Sequence, residues 1–215
     1  MNPSVPFRIA WFLVLTAAGA SRAVAATAEP TTRPSSVSGK IIADGEVPLS
    51  EMVVFLEPAD ASAPVPAASA QPVKISQKGA KFDPPLTIIS VGQTVEFVND
   101  EDRLVEHNVF SNAPTKKFDL GMYPPGQSRS VTFDKPGAVL LYCSIHRYMD
   151  GVVFVAPTPY ASRVTPDAAY RIDNIPPGKW VVKTWQRRRR FKEATAPATL
   201  EAGQAVSINL ELHKK

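Results

Sequence analysis

From residue 37 onward, apolar positions recur two apart in short runs, and turns built on glycine and proline interrupt them. In Thr94-Val95-Glu96-Phe97, Val95 and Phe97 fall on one side and Thr94 and Glu96 on the other, the period of a half-buried antiparallel strand. Residues 86–91, 94–98, 129–133, 139–143 and 152–155 are rich in β-branched and aromatic side chains, which suit a pleated, half-buried surface. Val91-Gly92-Gln93, Pro124-Pro125-Gly126 and Lys135-Pro136-Gly137 separate these runs as turns. No stretch carries a convincing helical period. The middle of the chain therefore reads as an all-β sandwich of about 85 residues.

The flanks predict a second set of strands. Residues 37–43 and 52–57 precede the middle segment, and 170–172, 180–185 and 206–212 follow it. In the last run Val206, Ile208, Leu210 and Leu212 alternate with Ser207, Asn209 and Glu211. Two early strands are too few to bury a core of their own, so they are expected to pair with the late ones. The expected organisation is a flexible leader at 27–36, a discontinuous second sandwich at 37–58 and 157–215, an Ala/Pro/Ser-rich linker at 59–72 and a central domain at 73–156.

Residues 1–26 read as an export signal, with Arg8 as the charged head, an apolar stretch at 9–20 and Ala23-Val24-Ala25 as a cleavage pattern. The apolar stretch is shorter than the roughly twenty residues that cross a bilayer as a helix. A periplasmic or secreted protein is expected, with no membrane span after signal removal; an uncleaved signal would serve as a tether. The chain's formal charge of +4 loses the contributions of Arg8 and Arg22 with the signal, which leaves no nucleic-acid footprint. The run Arg187 to Arg190 is read as a solvated loop between two strands in preference to a docking patch for an acidic partner.

The chain's single cysteine opens Cys143-Ser144-Ile145-His146-Arg147-Tyr148-Met149, which places a thiol, an imidazole and a thioether three residues apart. Each residue alone is accounted for as core, turn or gap filler. Random placement of the chain's few His and Met residues would produce the trio after a given Cys about once in four thousand, so it is read as a ligand set. Soft sulfur beside imidazole nitrogen suits copper, and His107 is the leading fourth ligand. A lone cysteine in an exported chain has no disulfide partner, and coordination would hold its sulfur as a protected thiolate. Asn108 and Ser144 adjoin the proposed ligands and are expected to tie their two loops together.

Lys81-Phe82-Asp83-Pro84, the strand Gly92-Gln93-Thr94-Val95-Glu96-Phe97-Val98-Asn99, His107-Asn108-Val109, Pro125-Gly126 and the Cys143 to Met149 loop resemble a cupredoxin of the plastocyanin and azurin family, over about residues 73–156. The short ligand loop is most similar to that of amicyanin. Tyr170-Arg171-Ile172 and Pro176-Pro177-Gly178-Lys179-Trp180 resemble transthyretin-like carboxypeptidase regulatory domains. The resemblance implies a Greek-key cupredoxin sandwich inserted into a smaller transthyretin-like sandwich. It further implies one type 1 copper held by His107, Cys143, His146 and Met149, and single-electron shuttling between redox protein partners. By the same analogy His146 is the electron port, with Tyr148 and Met122-Tyr123-Pro124-Pro125 as its apolar rim. The chain departs from the family at Ile145, where many members have proline, and in its second sandwich, which minimal members lack.

Catalysis is not expected. Copper nitrite reductases and multicopper oxidases need further histidine-rich centres, and only His213 remains, in a tail that reads as solvated. Two other functions use the same residues: a copper carrier or buffer without redox turnover, and a β-sandwich binding module whose site holds a metal such as zinc incidentally.

Overall fold

The computed structural model describes residues 1, 33–60, 65–188 and 190–215; the export signal expected at 1–26 lies, beyond Met1, outside the described residues. The described residues are all-β, and their one helical element is a 3-10 turn at Leu49–Glu51. No helix is long and apolar enough to cross a membrane among the described residues. Two strands, β1 (Ser35–Ala43) and β2 (Met52–Pro58), come first. The middle segment holds β3 (Val73–Gln77), β4 (Phe82–Asp83), β5 (Leu86–Ser90), β6 (Thr94–Asn99), β7 (Phe110–Ala113), β8 (Lys116–Asp119), β9 (Ser128–Thr132), β10 (Gly137–Tyr142) and β11 (Asp150–Ala156). Six more follow: β12 (Ala161–Arg163), β13 (Ala169–Ile175), β14 (Gly178–Gln186), β15 (Thr195–Leu200), β16 (Ala205–Ser207) and β17 (Leu210–Leu212).

Four sheets result. In the middle segment β5-β11-β10-β7-β8 lies opposite β4-β3-β6-β9, with Val139, Leu141, Val153 and Val155 from one and Ile75, Val95, Phe97 and Val131 from the other sharing a core. Among the flanking strands, β1 pairs with β13, β16 and β17, while β2 lies between β12 and β14. Val37, Ile41, Tyr170 and Ile172 pack there against Val54, Leu56, Trp180 and Val182.

A third apolar layer joins the two pairs of sheets. Val53 and Phe55 of β2 meet Leu86 of β5 and Val152, Phe154 and Ala156 of β11. Phe154 contacts Phe55 and Trp185 at ring-centroid distances of 5.2 and 4.8 Å. Successive residues of β2 and β11 thus face different cores, which is why residues 52–56 and 151–156 are unbroken apolar runs: a strand covered on both faces has no polar side.

The strand expected at 206–212 divides into β16 and β17. Gly39 is responsible: the carbonyl of Ile208 approaches it so closely that an added Cβ would lie 1.8 Å from that oxygen. Ile208 N donates to Ser38 O at 2.8 Å, and the Asn209 side chain accepts from Lys40 N at 2.9 Å in place of a ladder bond. At the other end of the chain, β1 starts at Ser35, inside the stretch read as leader.

Candidate metal centre

Two loops meet at one end of the middle sandwich. In the first, β10 and β11 pair through Tyr142 and Asp150, so residues 143–149 close a hairpin. Cys143 N donates to Met149 O at 3.3 Å and Met149 N to His146 O at 2.9 Å, which curls the loop back over the sulfur. In the second, His107 forms an isolated antiparallel bridge with Tyr123. His107 N donates to Tyr123 O at 3.2 Å and Tyr123 N to His107 O at 2.9 Å, so the backbone carrying this histidine is fixed on both sides.

The loops bring His107, Cys143 and His146 together, with potential ligand atoms all within 4.8 Å of one another. Cys143 Sγ lies 3.8 Å from His107 Nδ1 and 3.6 Å from His146 Nδ1. A first-row ion bonded to sulfur at about 2.3 Å and to imidazole at about 2.0 Å in a trigonal plane holds those atoms about 3.7 Å apart, so the three donors fit one ion. Met149 is buried in the apolar cluster that also holds Cys143. One thiolate, two imidazoles and a thioether make a copper donor set. His107, Cys143 and Met149 are buried and His146 is half-buried, which leaves His146 as the member of the set that reaches the surface.

Glu101 was not foreseen. Its Oε1 lies 2.9 Å from His107 Nε2 and accepts from Gly79 N at 2.7 Å and Ala80 N at 3.4 Å. The His107 hydrogen bond holds the Glu101 carboxyl below the usual range, aided by the two backbone amides and opposed by burial. An ionised carboxylate only accepts, so Nε2 carries the proton and Nδ1 is left free to bind a metal. A ligand histidine implies such a partner, but Glu101, Asp102 and Glu106 are equally placed in sequence.

Asn108 ties the loops as expected. Its Oδ1 accepts from Ser144 N at 2.8 Å and Ser144 Oγ at 3.0 Å, and its Nδ2 donates to Asp119 Oδ1 at 3.2 Å. Gln77 supports the same segment from β3. Its Nε2 donates to Asn108 O at 3.3 Å and its Oε1 accepts from the Tyr123 hydroxyl. Asn99 Nδ2 donates to the carbonyls of Val105 and Tyr123 at 2.9 and 3.0 Å.

Two surface expectations need correction. Tyr123 is not part of an apolar rim: it is fully buried, and burial pushes its phenol well above the usual range. Tyr148, 88% exposed, with Met122 and Ile145, supplies the exposed apolar groups instead. Nor is Arg187 a solvated loop residue, since its side chain is only 18% exposed and ion-pairs with both Asp150 and Glu51.

Residues 70–156 match the family of copper binding proteins, plastocyanin/azurin family. Similar solved structures include a purple cupredoxin from Nitrosopumilus maritimus, 27% identical over 39% of this chain and 99% of that one, with a TM-score of 0.35. A copper-containing nitrite reductase from Thermus scotoductus is 27% identical over 54% of this chain and 28% of its own, with a TM-score of 0.39. A reduced amicyanin mutant is 24% identical over 43% of this chain and 97% of that one, with a TM-score of 0.36.

Proposed function

We propose, since residues 70–156 match the plastocyanin/azurin family of copper-binding proteins, that this chain is an exported electron carrier with a type 1 site built from His107, Cys143, His146 and Met149. The observation that carries the reading is the convergence of the Cys143 sulfur and two Nδ1 atoms from separate loops at distances suited to one ion. Copper, when bound, supplies a one-electron couple between its +1 and +2 states. The chain's own part is to hold the donors still, so that little rearranges during transfer. Glu101 fixes the His107 tautomer, and Asn108 locks the His107 segment to the Cys143 loop. The buried surroundings of Cys143 keep water from the sulfur, while half-buried His146, among exposed apolar side chains, is the port where a redox protein partner docks briefly.

The chain performs no catalysis of its own in this reading, because two of its three histidines are used by the single centre. The periplasm or the extracellular space is its compartment, on the strength of residues 1–26. The flanking strands form a transthyretin-like sandwich that supports the copper-binding one. The test is repeated oxidation and reduction of the copper-loaded protein with a metal assay after each cycle. Rapid reversible exchange with copper retained is expected. Loss of copper to an acceptor protein would favour delivery, and a preference for zinc over copper would favour an incidental site.

A further inference from the structure

Arg187 follows the last residue of β14 and reaches across to the middle sandwich. Its guanidinium forms an ion pair with Asp150, lies 3.6 Å from Glu51 Oε1 through Nη1, and its backbone N donates to Glu51 O at 3.2 Å. Asp150 is the residue after Met149, and across the ladder it pairs with Tyr142, the residue before Cys143. The arginine therefore grips the base of the hairpin that carries three of the four ligands. The contact is anchored from behind, because Trp185, two residues earlier, packs on Phe154 of β11. Arg188 Nε lies 3.3 Å from the other Glu51 oxygen, so Glu51 is held in place by two arginines.

We propose that Arg187 is a positioning residue through which the flanking sandwich holds the ligand loop and biases its redox couple. The inference rests on the copper-site reading above. The oxidised site carries one more positive charge than the reduced one, so a nearby cation favours the reduced form and a nearby carboxylate the oxidised form. Asp150 and Arg187 oppose each other next to Met149; removing Arg187 leaves Asp150 without its guanidinium, and removing Asp150 leaves Arg187 paired with Glu51 alone.

The test uses the full chain with Arg187→Gln, Asp150→Asn and Arg187→Lys. At a fixed ambient potential, Arg187→Gln should raise the Cu(II)/Cu(I) ratio severalfold, Asp150→Asn should lower it, and Arg187→Lys should return it toward the parent value. Added salt should shrink both shifts, because the pair is partly solvated. Loosening of the loop alone would not give opposite signs, so shifts of the same sign, or none, overturn the proposal. In the metal-free protein, amide exchange over residues 144–149 should quicken in Arg187→Gln; unchanged exchange overturns the clamp. If Arg187→Gln fails to fold, Glu51→Gln replaces it and should shift the ratio in the direction of Asp150→Asn. An unaltered protein with no thiolate-to-copper band counts against the copper-site reading, whereas a normal band with unmoved ratios counts against the clamp alone.

Discussion

The side-chain oxygen of Asn108 accepts hydrogen bonds from both the backbone N–H and the hydroxyl of Ser144, at 2.8 and 3.0 Å. One atom thus joins the His107 segment to the cysteine loop. Asn108→Ala removes both bonds to the exposed Ser144, each worth about 0.5–1.5 kcal/mol net. Denaturant unfolding of the metal-free protein should show this loss, and copper should dissociate faster. An unchanged unfolding midpoint would mean that the two loops are held by other contacts.

Glu101 gives His107 its tautomer and orientation. Its replacement by alanine leaves Nε2 without its acceptor, and copper affinity should fall about 10–100-fold, as is usual when a ligand histidine loses its partner. Glu101→Gln retains an acceptor oxygen and should lose less. Competition with a chelator of known affinity measures both, and equal affinities for the parent and the alanine variant would remove Glu101 from the site.

Met149 is buried in the core cluster that also holds Cys143 and would offer its thioether to a bound copper. Met149→Leu should retain copper and raise the reduction potential, because the axial ligand tunes it. Equilibrium redox titration reads the shift. A potential equal to that of the parent would deny the thioether its role.

Alkaline pH should destabilise the fold through its buried phenols. Burial raises Tyr170 to about 12, whereas an unfolded tyrosine titrates near about 10. A folded value above the unfolded one contributes stability that is complete below about pH 10 and is lost as the pH rises from there through about 12. Tyr123 is raised for the same reason. Unfolding midpoints followed across this window should fall, and should fall less steeply in Tyr170→Phe. An identical slope in that variant would show that Tyr170 does not contribute.

The grouping of Cys143 with His146 was legible in the sequence because the residues are local: a lone cysteine followed at three-residue steps by His146 and Met149. The period-two alternation in Thr94 to Phe97 likewise exposed β6, since one face of that strand is core. Contacts that depend on distant segments were not legible. Nothing near Tyr123 in sequence reveals that it bridges His107 and is sealed beneath Gln77. Arg187 sits in a run of like charges that reads as solvated, and only the packing of β14 against β11 carries it to Asp150. Gly39 gives no local sign that Ile208 will crowd it, so the division of the last strand could not be foreseen from its unbroken alternation.

The account depends on the Cys143 thiolate bonding copper beside two imidazoles, and the visible spectrum of the purified full chain with Cu(II) tests this most directly. The protein should show an intense blue thiolate-to-copper band, and the band should vanish in Cys143→Ser. A colourless Cu(II) complex of the unaltered protein, or a band that survives in Cys143→Ser, would contradict it.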